Sequence, residues 1–188
     1  MTPRASRAFI MTGVFLVVAA VAAASGPLQK SSTSDPPKLT VTSPAFKEGG
    51  AFPVEFTCDG AGVSPPIEWS GAPEGTKAFA VNIWHVPRDG GVKSYWVVYD
   101  IPGDVTKVPK DLKGVGTVGI NDKGRAEYDP MCSQGPGAKT YHITVHALKA
   151  ELKTAPRKTD RAALLAAIKD LEIARGTMTY VYSRSKRD

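Results

Sequence analysis

The chain predicts a mostly β fold, a sandwich of antiparallel sheets with one helix near its C-terminal end, and three observations carry that prediction. Fifteen prolines and eighteen glycines punctuate its 188 residues, most of them in the first two thirds. Between them lie short runs rich in β-branched and aromatic residues, which is the pattern of strands joined by turns. Helical periodicity appears only late, before a final β run, an order that suits strands packed in layers with one helix added. At 42% hydrophobic and 22% charged the composition is that of an ordinary globular domain. The length suits one domain with a sizeable core.

Taken in order, residues 1–25 begin with Arg4 and Arg7, continue through an apolar run and fade into small residues ending at Ser25. That is the signature of a secretory signal peptide. The competing reading is an uncleaved membrane anchor, although the apolar run sits at the short edge of what spans a bilayer. No cysteine stands near the exit, which argues against a lipid-anchored one there. Residues 26–38 are polar, proline-bearing and aperiodic, and read as a disordered linker. The domain proper is expected over 39–184, in the periplasm or secreted.

Leu39 to Ser43 alternates at period two and predicts the first strand. Phe52 to Phe56 predicts a second. Ile67 to Trp69 is short. Lys77 to Trp84 is apolar on both faces, as a central strand should be. Tyr95 to Pro102 is strongly β and stops at Pro102-Gly103, while Val115 to Asp122 reads as a weak strand or extended loop. Tyr128 to Tyr141 forms a loop rich in Pro and Gly, and Tyr141 to Leu148 a strand behind it. Thr159 is the expected N-cap, and Leu164, Ile168 and Leu171 recur at helical spacing as far as Arg175 and Gly176. Thr177 to Tyr182 returns to β alternation.

The formal net charge is +6, but the basic residues are scattered or lie in the tail from Arg184 to Arg187. Nucleic-acid binding calls for a clustered basic stripe, so that partner is not expected. Cys58 and Cys132 are the only cysteines. In an exported chain two cysteines tend to pair, and with no histidine at usable spacing beside either, a metal site is not expected. His142 and His146 share a strand face with Thr144 between them, which reads as a polar outer face. Ser133 lacks a G-x-S-x-G elbow around it, so a hydrolase is not expected.

The segments Phe56-Thr57-Cys58-Asp59-Gly60, Ser64-Pro65-Pro66-Ile67, Tyr95-Trp96-Val97-Val98-Tyr99-Asp100-Ile101-Pro102, Asn121-Asp122, the Tyr128–Cys132 stretch and Tyr141 to Leu148 occur in an order that resembles the phosphatidylethanolamine-binding protein family. The likeness is to its bacterial, Raf-kinase-inhibitor-like branch and covers about residues 39–184. It implies a phosphatidylethanolamine-binding-protein-like β-sandwich with a C-terminal helix, and a pocket for small anions or phosphorylated headgroups. It also implies that the Cys58 and Cys132 loops lie near that pocket, and with export this predicts a disulfide between them. Asp59, Pro65, Pro66, Trp96 and Tyr141 match the family's pattern. The chain departs from it with His85 in place of the first aspartate of an Asp-Pro-Asp turn. Tyr95 stands where a histidine precedes the tryptophan, and Lys139-Thr140 where His-Arg is usual.

These replacements trade acidity for a permanent cation, a titratable imidazole and a phenol, a set that still suits phosphate-like oxygens. The expected ligand site is His85, Tyr95, Lys139 and Tyr141, walled by Trp96 and the Pro65-Pro66 turn with Asp59. The plainer alternative makes Lys139 a solvated loop residue and His85 part of a turn. The resemblance thus implies a non-enzymatic binding protein without a cofactor. Its rival is an inhibitor or regulator of a partner protein such as a protease or kinase, with export arguing against a cytosolic kinase. A membrane enters only if the N-terminal segment stays uncleaved.

Overall fold

The computed structural model describes residues 37–134, 137–154 and 158–184. The predicted signal peptide and all but the last two residues of the predicted linker lie outside them. Those two do not behave as linker: the Pro37 carbonyl accepts from the Arg175 amide at 3.1 Å, and Lys38 forms a parallel bridge with Arg175.

Two antiparallel sheets make the body. The larger runs in the order β6-β4-β3-β7-β8, from Thr117–Val118 (β6), Lys93–Pro102 (β4), Ala78–His85 (β3), Lys139–Leu148 (β7) and Glu172–Tyr182 (β8). The smaller runs β1-β2-β5, from Thr40–Thr42, Ile67–Ser70 and Lys107–Val108. The long apolar runs became the middle of the large sheet, β3 being central as its two-sided hydrophobicity requires. Phe79, Val81 and Ile83 turn one face of β3 inward to meet Ile67, Trp69 and Val108 of the small sheet in the main core. Period-two alternation then puts Ala78 and Ala80 on the other face, under the helix α1 (Arg161–Ile168), with Val97, Tyr99, Leu148, Leu164 and Ile168. Small alanines there let the helix approach closely.

Four local expectations are corrected. Phe52 to Phe56 is not a strand, since Val54–Phe56 forms a 3₁₀ turn after Pro53. Proline fixes φ and offers no N–H to a ladder, so the chain turns there instead of pairing. The helix ends at Ile168, short of Arg175, because from Glu172 onward β8 pairs with β7 along its whole length. Tertiary pairing outweighs the helical spacing of Leu171. The helix cap is Asp160, whose carboxylate accepts from the Ala163 amide at 2.7 Å, while the Thr159 hydroxyl bonds Thr154.

The fourth correction concerns His142, Thr144 and His146. They share a face as alternation demands, but it is a built, largely buried surface: His146 and Thr144 are buried. Asn82 Nδ2 lies 2.9 Å from His146 Nε2, and Glu172 lies 3.3 Å from Nδ1 on its other side. Trp84 Nε1 donates to Thr144 at 3.1 Å and its ring stacks on His142 at 4.2 Å. Arg161 covers Trp84 at 4.6 Å and donates to Asn82. The network satisfies its buried polar groups, and Arg161 ties α1 to the sheet.

Candidate functional site

Antiparallel pairing brings the predicted residues to one end of the large sheet. Trp84 pairs with His142, so His85 and Tyr141, one residue further along their strands, emerge side by side at the β3–β7 edge. Lys139, two residues before Tyr141, shares its face. On the other flank the β3–β4 register slips: Ile83 faces Trp96 but Trp84 faces Ser94, which leaves Tyr95 as an extra, bulged residue. A bulge re-aims a side chain. Here both Tyr95 and Trp96 join the core on the sandwich side.

The three rings of His85, Tyr95 and Tyr141 form a triangle with centroids 4.9 to 5.6 Å apart. Tyr95 Oη lies 3.1 Å from His85 Nδ1. Burial pushes the Tyr95 phenol well above its usual range, helped by Tyr141, so it stays protonated. Burial likewise raises Tyr141. His85 is held below the ordinary imidazole range, first by burial and then by the positive charge of Lys139 and Lys93 and by His142, against an opposing pull from Asp122.

These residues line a cavity of about 290 Å³ whose wall also includes Lys93, Asp122, Lys123, Asp129 and Cys132. Lys123 is engaged by Asp129 at 2.8 Å, and Arg125 reaches the same carboxylate at 3.4 Å. The Lys139 ammonium donates to the carbonyl of Gln134, a neutral partner. The opposite wall is fixed covalently. Cys58 and Cys132 form a disulfide with Cα atoms 5.4 Å apart, and Thr57 bridges Met131 beside it. The predicted pairing is present.

Two further wall residues, Ser94 and Ser133, were not placed in the site by the sequence reading. Both are buried, and the Ser94 hydroxyl has no hydrogen-bond partner among the described residues. The Ser133 hydroxyl meets no partner among them at full hydrogen-bond geometry, but lies close enough to the Tyr141 phenol to favour its ionised form. Among the described residues only one other side-chain atom, Trp69 Nε1, is buried in this way. Serine is too common in loops for its spacing to have signalled this. The Pro-rich stretch around Ser133 was the available clue.

The remaining predicted residues lie elsewhere. Trp96 packs edge-on against Tyr128, with centroids 5.9 Å apart, and borders a separate cleft of about 300 Å³ with Val63, Ser64 and Leu112. Pro65 is buried in the turn leading to β2, and the Pro66 carbonyl accepts from Ser43 at 2.7 Å. Asp59 accepts from Tyr182 at 2.6 Å and from Arg184 Nε at 2.9 Å, clasping the end of β8. The Tyr182 bond and Arg184, working against burial, hold its carboxyl below the usual range.

Depressed histidines carry a pH signature. The unfolded chain binds protons at His85 and His142 near pH 6.5, while the native state, with both pKa values lowered mainly by burial, does not. Stability is therefore full above about pH 6.5 and falls as pH drops toward the native values. Thermal unfolding from pH 7.5 to 5.5 should show a falling Tm, and His85→Gln should flatten the slope. A wild-type Tm that rises over this range contradicts the assignment.

The family model described as "Phosphatidylethanolamine-binding protein" matches residues 42–183. A UPF0098 protein of Aquifex aeolicus is 39% identical over 119 residues, covering 60% of this chain and 70% of its own. A Mycobacterium tuberculosis protein named "Putative lipoprotein LppC" is 33% identical over 123 residues, 64% of this chain and 61% of its own. The crystal structure of Escherichia coli YbcL, described as a new member of the mammalian PEBP family, matches with a TM-score of 0.71 at 30% identity. It covers 79% of this chain and 99% of that one. The two-sheet architecture, the matched span and these likenesses agree, and the chain belongs to the phosphatidylethanolamine-binding protein family.

Proposed function

We propose that the protein is an exported, non-enzymatic binding protein whose cavity between β3, β4 and β7 holds a small phosphate-like anion or phosphorylated headgroup. The observation that carries this reading is the convergence of His85, Tyr95, Lys139 and Tyr141 on one cavity. A ligand bearing several acceptor oxygens would take the Lys139 ammonium as its charge partner, with the His85 ring and the Tyr141 hydroxyl beside it.

Binding is favoured over catalysis because no serine hydroxyl of the cavity is paired with a base among the described residues. A serine nucleophile needs a base in hydrogen-bond reach, and Ser94 and Ser133 make no bond to His85, whose Nδ1 is paired with Tyr95. Export is supported by the disulfide, which persists in oxidising compartments. A relative whose name calls it a lipoprotein points the same way.

Calorimetric titration with inorganic phosphate tests the site. Lys139→Ala should weaken binding by roughly 1.5 to 3 kcal/mol, the worth of a hydrogen bond to a charged group. Equal affinity in the variant would make Lys139 a bystander.

A further inference from the structure

A second and larger chamber adjoins the cavity. It measures about 550 Å³ and shares His85, Pro87, Gln134 and Lys139 with the first. Its own lining differs in chemistry. Val86, Pro87 and Ala138 give it an apolar side, and the His142 ring supplies a flat aromatic one. Val86 is 55% exposed, one of three large apolar side chains left open among the described residues. His142 does not swing freely, because Trp84 backs it in a 17° stack and Arg161 covers Trp84 in turn. Burial holds the imidazole below its usual range, which keeps that wall uncharged at neutral pH. The outer chamber thus has an apolar and aromatic side, Val86, Pro87, Ala138 and His142, set beside the charged side chains of Arg88 and Asp89, and Lys139 lines both chambers.

From this lining we infer that the outer chamber is a second subsite. It receives the organic group of a phosphate monoester, or equivalent organic anion, whose charged end occupies the inner cavity. The inference rests on the anion reading of the inner cavity and adds the class of substituent: an apolar or aromatic group of at least the size of a phenyl ring. Inorganic phosphate would fill the inner chamber alone. A monoester with a ring would also bury apolar surface against Val86, Pro87 and His142.

Titrations with inorganic phosphate and with phenyl phosphate, on the same protein, separate the two claims. Phenyl phosphate should bind about tenfold more tightly, the worth of burying part of one ring. Val86→Asn, an exposed and uncharged change, should cut that advantage severalfold while leaving the inorganic phosphate affinity within about twofold. Adding His142→Ala should abolish the advantage. The inference is overturned if wild-type protein binds both ligands equally, or if Val86→Asn weakens both in parallel. Failure of inorganic phosphate to bind at all overturns the anion reading, and the second subsite falls with it.

Discussion

Replacing Cys58 and Cys132 together by serine should lower the unfolding free energy by about 4 kcal/mol, read as a shifted denaturant midpoint. The bridge closes a loop of 74 residues in sequence separation, which restricts the unfolded chain far more than the native one. That loop contains β2, β3, β4, β5 and β6, so the crosslink acts on most of both sheets. The native state pays a second, local loss. Thr57 and Met131 bridge beside the disulfide, and the Cys58 amide donates to the Met131 carbonyl at 3.2 Å. Without the bond, the segment bearing Ser133 loses its tether to the Cys58 turn. Phosphate affinity should therefore fall in the double variant at temperatures where it remains folded. A stability loss below about 1 kcal/mol would mean that the reduced chain is already held by its core.

Trp96→Ala should cost about 3 to 5 kcal/mol of stability, the usual range for deleting a large buried aromatic side chain. Trp96 is buried, and Tyr128 is set edge-on to it. Tyr128 in turn donates to the Phe56 carbonyl at 2.6 Å, so the cavity left behind would border an element fixed by other bonds. Sites that cannot collapse sit at the high end of the range. Phosphate affinity at low temperature should stay within about twofold of wild type, since Trp96 faces the cleft of Val63 and Leu112 and not the cavity of His85. Thermal unfolding together with titration separates this core role from the wall role that its motif suggested.

Trp96 also shows where the sequence ran out. Strands β3, β4 and β7 were legible because long β-branched and aromatic runs have few other solutions. The two-residue strand β5 was not, since nothing in Lys107-Val108 distinguishes a ladder from a loop, and β6 at Thr117-Val118 was legible only as part of a stretch read as weak strand or extended loop. Tyr95 and Trp96 are adjacent, and strict alternation would send one to each face. The bulge at Tyr95 overrides that, and only the pairing register reveals it. Likewise the histidines of β7 were placed on the correct face, but that the face was covered depended on Arg161 and Glu172 arriving from much later in the chain. His85, Tyr95, Lys139 and Tyr141 were legible as a set because each flanks a strand end that the family resemblance aligns. Ser94 and Ser133 were not, because an unsatisfied hydroxyl is a property of the packed wall and leaves no trace in composition.

Lys139 and the Tyr141 hydroxyl give the most direct test of the anion site. Lys139→Ala and Tyr141→Phe, combined in one protein, remove the cation and one phenol from the cavity. Calorimetric titration with inorganic phosphate should then show affinity reduced by more than the roughly 1.5 to 3 kcal/mol expected of Lys139→Ala alone. A double variant that binds phosphate as tightly as wild type would contradict the account and return both residues to ordinary packing.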